Sequence, residues 1–126
     1  MFSHIVVGSN DIEKSKAFYD ATLAVLGYPA GVIDEKGRCI YANSEGVFIV
    51  TSPVNGQEAT PGNGMTIGFS VSNPEQADAW HQAGVENGGV TCEDPPGIRA
   101  HSGRELYLAY LRDPTGNKLC AVYRIS

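Results

Sequence analysis

Three histidines, three cysteines and several strand-borne tyrosines are the side chains of this sequence with chemistry beyond surface charge. His4 opens the β-branched run Ile5-Val6-Val7 and could serve as a metal ligand, a general base or a hydrogen-bonded histidine at a strand start. His101 stands near Arg99 and Glu105 in segment 95–104, which is rich in Gly, Pro and Ser. That segment reads as a loop of the kind that carries function over a rigid sheet. His81 follows Trp80 in a helical pattern and reads as a boundary residue. Cys120, within Leu119-Cys120-Ala121-Val122, reads as a buried, inert thiol, because a nucleophile needs a pKa-lowering neighbour and none is identifiable. Tyr41, Tyr107, Tyr110 and Tyr123 alternate along apolar runs. They either line a cleft for a flat ligand or sit in the core with hydroxyls at the rim. Glu45 and Glu105 are loop-adjacent carboxylates suited to acid–base work or to solvation. No serine has a Gly-x-Ser-x-Gly context, and no Gly-x-Gly-x-x-Gly or Walker pattern occurs, which removes hydrolase triads and nucleotide cofactors.

A chain of 126 residues forms one domain. Nine basic against fourteen acidic residues give a net charge of −5, so no cationic cluster for phosphates is expected and nucleic acid is not an expected partner. Apolar runs such as Val47-Phe48-Ile49-Val50 are far shorter than the ~20 residues that cross a bilayer, and His4, Ser9 and Asn10 interrupt any signal-peptide core. No membrane association and a cytoplasmic location are therefore expected. Cys39, Cys92 and Cys120 show no CxxC spacing and read as reduced thiols.

The elements that would hold these residues follow from periodicity. Residues 3–8 read as a strand, and Asn10 with Glu13 has capping-box spacing for a helix over 11–26 ending at Gly27. Strands follow at 30–34, 38–42 and 47–51. After a Gly- and Pro-rich connector come a strand at 65–71, a helix opened by Asn73-Pro74, and strands at 90–92, 106–112 and 119–123. A shift of 62 residues superposes His4 on Thr66, Glu13 on Glu75, Phe18 on Trp80 and Gly27 on Gly89, the trace of an internal duplication. The fold class is α+β, a single domain with module one at 1–53, a connector at 54–64 and module two at 65–126. Each module reads as βαβββ, and together they form curled mixed sheets.

This duplicated unit, with His4-Ile5-Val6-Val7, the helix segment Lys16-Ala17-Phe18-Tyr19, Arg99-Ala100-His101 and the late Asp113-Pro114-Thr115-Gly116-Asn117, resembles the vicinal oxygen chelate superfamily. That group includes glyoxalase I, bleomycin-resistance proteins and extradiol dioxygenases. The resemblance implies a divalent metal on inward-facing His, Gln or Glu side chains. His4 matches the first ligand position, but Thr66, Cys120 and the Ile49–Val50 region occupy the others, so three of four expected donors are missing. A divalent ion needs several donors at once. A softer zinc site from Cys120, His4 and His101 would still want a fourth ligand. The favoured expectation is a small-molecule pocket in the sheet cleft with a degraded metal site and no cofactor, its polar groups drawn from His4, Tyr41, Thr66, Arg99, His101, Tyr107 and Cys120. The alternative is a divalent-metal-dependent lyase or isomerase of glyoxalase I type acting on a carbonyl compound. The resemblance also implies a homodimer.

Overall fold

A computed structural model describes all residues, 1–126. In chain order it contains β1 (His4–Gly8), α1 (Ile12–Val25), β2 (Val32–Ile33), β3 (Cys39–Asn43), β4 (Gly46–Thr51), β5 (Ile67–Ser70), α2 (Pro74–Glu86), β6 (Val90–Thr91), β7 (Gly97–His101), β8 (Arg104–Arg112) and β9 (Lys118–Arg124). The first sheet runs β1-β4-β3-β2 and the second β5-β9-β8-β6, with β7 also on β8. In each sheet the strand before the helix pairs in parallel with the last strand, Ile5 opposite Phe48 and Ile67 opposite Leu119, and all other pairs are antiparallel. The 62-residue offset holds at the helix starts: Asp11 and Asn73 are the caps, accepting from the backbone N–H of Lys14 and Gln76.

Two local expectations change. Asp11, not Asn10, caps α1. A helix start needs only an acceptor, which a carboxylate supplies. The Asn10 amide has both a donor and an acceptor, and it uses both on one connector residue, donating to the Ala59 carbonyl and accepting from the Ala59 N–H. Segment 95–104 is not a loop: β7 pairs with β8 through the two-residue turn Ser102-Gly103, whose φ values of 51° and 75° suit the right-handed strand twist. β6 and β7 share one edge of β8 and are separated by Pro95-Pro96, which cannot donate to a ladder. Module two therefore carries four strands after its helix where three were expected.

Both helices pack on one side of the sheets. The core joins Phe18, Tyr19 and Leu23 of α1 to Ala77 and Trp80 of α2, and both to the inward residues of β3, β4, β8 and β9. An aromatic chain, Tyr19–Phe48–Phe69–Trp80, crosses from one module to the other at centroid spacings of 4.9, 5.6 and 6.3 Å. The indole N–H of Trp80 is buried without a partner.

Candidate functional site

A cleft of about 480 Å³ lies where the start of β1 meets β5, between the modules. Its apolar wall includes Phe2, Tyr28, Phe48 and Phe69, and its polar groups include Ser3, His4, Glu45, Ser70 and Ser72. Strand alternation sends Ile5 and Val7 toward the helices and leaves His4 on the open face. His4 Nδ1 shares a 2.6 Å hydrogen bond with Ser3 Oγ, which leaves Nε2 for the cleft. Glu45, on the β3–β4 turn, makes no side-chain hydrogen bond or ion pair of its own. Burial raises the Tyr28 phenol, and the nearby Glu45 carboxylate adds to the shift, so Tyr28 presents a neutral hydroxyl. Gln76 also lines the cleft, but its amide is spent: Oε1 accepts from Ser72 N–H and Nε2–H donates to the Val25 carbonyl, tying α2 to the end of α1.

The duplicated counterpart of this cleft is filled. Ser70 and Ser72 correspond by the 62-residue offset to Gly8 and Asn10. There Ala59 of the connector packs so closely that a Cβ on Gly8 would come within 2.9 Å of its own Cβ. Thr66, the counterpart of His4, consequently lines a separate depression with residues of 61–65, Arg112 and Lys118. Duplication places equivalent residues at opposite ends of the seam between the modules, and the connector seals one end.

The remaining residues expected to form one pocket are dispersed. Tyr41 is buried against α1, where its hydroxyl donates to Asp20 Oδ1 at 2.8 Å. Burial, then Cys39 and Asp20, raise its pKa far above the ordinary phenol range. Tyr107 also faces a helix and donates to Asp78 Oδ1 at 2.7 Å. Neither lines the cleft: both face the helices from β3 and β8, strands set back from the β1 and β5 edges where the cleft opens. Tyr110 has the opposite phase and lies on the open face of the second sheet, in one row with Cys120 and Gly68. Burial pushes the Cys120 thiol up to about 11, so it is protonated at neutral pH. Arg99 and His101 stand on β7, outside the cleft. The cleft residues that sequence reasoning missed include Phe2, Tyr28 and Phe69. Phe69 carried a strand signal, but only the meeting of two sheet edges exposes it to a cavity.

The family model for the Glyoxalase/Bleomycin resistance protein/Dioxygenase superfamily matches residues 1–121. The chain belongs to this superfamily. Among solved structures it is similar to a glyoxalase/bleomycin resistance protein from Albidiferax ferrireducens T118, at 56% identity over 98% of this chain and 99% of that one, with a TM-score of 0.94. A glyoxalase-related enzyme from Fulvimarina pelagi shares the fold at 22% identity, covering 97% of this chain and 86% of that one, with a TM-score of 0.72. So does a glyoxalase/bleomycin resistance protein/dioxygenase family enzyme from Burkholderia phytofirmans PsJN, at 18% identity, 95% coverage of both chains and a TM-score of 0.71. None of the curated proteins matches the sequence.

The donors of this glyoxalase-superfamily chain do not fit a metal ion within one protomer. No three His, Cys, Asp or Glu side chains gather closely enough to hold one. His4 is paired in register with Val47, and Cys120 with Gly68 and Tyr110, so neither has a carboxylate or imidazole as its cross-strand neighbour. Chemically, the cleft offers aromatic walls, one imidazole nitrogen, one unpaired carboxylate and several hydroxyls. No helix is long and apolar enough to cross a membrane.

Proposed function

We propose that this glyoxalase-superfamily protein holds a small molecule in the cleft between its modules, with His4 and Glu45 as polar contacts and no metal ion held by a single chain. The observation that carries this reading is the cleft itself. Its volume of about 480 Å³ and its aromatic side chains set among polar ones suit a small-molecule site. His4 belongs to no cluster of three or more His, Cys, Asp or Glu side chains, which supports binding over metal-assisted lyase or isomerase chemistry.

1-Naphthol serves as a neutral aromatic probe, and Trp80 as the reporter. It is the only tryptophan, and its ring lies 6.3 Å from that of Phe69. The probe is expected to change Trp80 fluorescence saturably and to raise the melting temperature. Phe69→Ala is expected to weaken it by about tenfold, the loss of one aromatic contact. His4→Ala, at an exposed position that does not threaten folding, is expected to weaken it severalfold. Unchanged affinity in both variants would overturn the reading. So would about one tightly held metal ion per chain in untagged protein, with stability lost on adding EDTA.

The working unit in this proposal is a homodimer. Register aligns Val6, Ile49, Ile40 and Val32 in one apolar row across the open face of the first sheet. Val6 is 48% and Val32 67% exposed, an arrangement that favours burial against a second copy. Light scattering is expected to give a dimer mass that Val32→Asp halves. A wild-type mass of 13.4 kDa would remove the dimer.

A further inference from the structure

Asparagine precedes glycine three times, at Asn55-Gly56, Asn63-Gly64 and Asn87-Gly88. In such a pair the glycine nitrogen reaches the asparagine side-chain carbon with no Cβ in its way. The three pairs are alike in sequence and differ in their hydrogen bonds. Asn55 Oδ1 accepts the Gln57 N–H at 3.0 Å, and Gly56 N–H donates to the Pro53 carbonyl at 3.1 Å. Asn87 Nδ2–H donates to the Ala83 carbonyl at 2.8 Å, which ties it to the last turn of α2. Asn63 has neither restraint. Its side chain makes no hydrogen bond, unlike those of the other asparagines, and the Gly64 N–H has no acceptor.

Both residues are exposed, and nothing lies within 4 Å of where a Cβ on Gly64 would stand. They form the centre of a turn closed by Met65 N–H to the Gly62 carbonyl at 3.3 Å, longer than an ordinary N–H···O bond. An exposed turn held this loosely opens readily, and the peptide then rotates until the glycine nitrogen meets Cγ.

We infer that Asn63 is a self-modifying position, converting spontaneously to isoaspartate and aspartate in the folded protein while Asn55 and Asn87 are protected. Gly64 N loses its proton and bonds to Asn63 Cγ. The Cγ–Nδ2 bond breaks, and Nδ2 takes up a proton and leaves as ammonia. Water, the only co-reactant, then opens the cyclic imide. Cleavage between Gly64 N and Cγ gives aspartate, and cleavage between Gly64 N and the Asn63 backbone carbonyl carbon gives isoaspartate. The new carboxylate arises in the depression that Asn63 shares with Lys118 and with Arg112, which has no carboxylate partner, so its charge is favoured there.

The test incubates the full-length protein in mildly alkaline buffer and follows each Asn-Gly peptide by mass spectrometry, with protein isoaspartyl methyltransferase marking isoaspartate. Asn63 is expected to convert about tenfold faster than Asn55 or Asn87, the factor for one hydrogen bond broken on the way to reaction. In denaturant the three rates are expected to draw together, because the restraints are gone. Asn63→Gln, which touches no hydrogen bond of the fold, is expected to remove the more acidic species that ion exchange resolves. Equal native rates, faster loss at Asn55 or Asn87, a selectivity that persists in denaturant, or an acidic species that survives Asn63→Gln would overturn the proposal.

Discussion

Replacing Asp113 with alanine is expected to destabilise the protein by about 3–5 kcal/mol, the range for stripping a buried charge out of its hydrogen-bond network. Asp113 is only 3% exposed. Its Oδ1 accepts the backbone N–H groups of Thr115, Gly116 and Asn117, each at 2.9 Å. Oδ2 accepts Tyr19 O–H at 2.5 Å and Asn117 Nδ2–H at 2.9 Å. Burial, reinforced by the Asp113 charge, raises the Tyr19 pKa well above the phenol range, so the hydroxyl is a donor at neutral pH. Two more bonds tie the same hairpin to module one: Asn117 Nδ2–H donates to the Gly8 carbonyl, and Asn10 N–H to Thr115 Oγ1. The Asp-Pro-Thr-Gly-Asn run is therefore a fastening between modules. Chemical denaturation is the check, with Tyr19→Phe expected to cost about 1–2 kcal/mol for one lost charged hydrogen bond. A loss below about 1 kcal/mol in Asp113→Ala would rule out this role.

The second large effect is expected at Phe18, where alanine should cost about 3–5 kcal/mol. Phe18 is fully buried and meets Tyr19 edge to face at 4.8 Å. It fills the space left by two glycines of module two. A Cβ on Gly84 would lie 3.1 Å from Phe18 Cε1 and 2.3 Å from Leu111 Cδ1, and one on Gly89 2.5 Å from Phe18 Cε1. Gly84→Ala alone is therefore expected to destabilise by about 1–3 kcal/mol through overpacking, even though alanine is the better helix former. The two substitutions should couple, because removing the Phe18 ring frees one of the atoms the new methyl strikes. A double-mutant cycle by denaturation measures this, and strictly additive values would show that the helices do not meet through this pair.

Much of this architecture could be read along the chain because its determinants are local. The α1 pattern, the Gly27 stop with its φ of 91° and the Asn73-Pro74 start of α2 each depend on residues within a few positions of one another. The 62-residue offset carried the duplication, and hence the α+β class. Where a single residue's phase or partner mattered, local reasoning was not enough. Asn10 looked like a cap because nothing nearby revealed Ala59, 49 residues away, as a better partner for its amide. Segment 95–104 looked like a loop because Gly, Pro and Ser dominate it, although Ser102-Gly103 is itself a two-residue hairpin signal.

The same limit explains the site. His4 was found because its type and position at a strand start are visible in the sequence. Tyr41 and Tyr107 carry the same strand signal, yet alternation turns them toward Asp20 and Asp78 on the helices. A one-residue difference in phase separates Tyr107 from Tyr110, and only the sheet's packed face decides which is inside. The sequence by itself determined the two modules, their helices and the residue types at the expected ligand positions, since propensity, capping and repetition are short-range properties. The tertiary structure alone decided that the connector closes one end of the seam and that Phe69 and Tyr28 wall the other. Those outcomes depend on how two sheets meet, a contact between residues far apart in the chain.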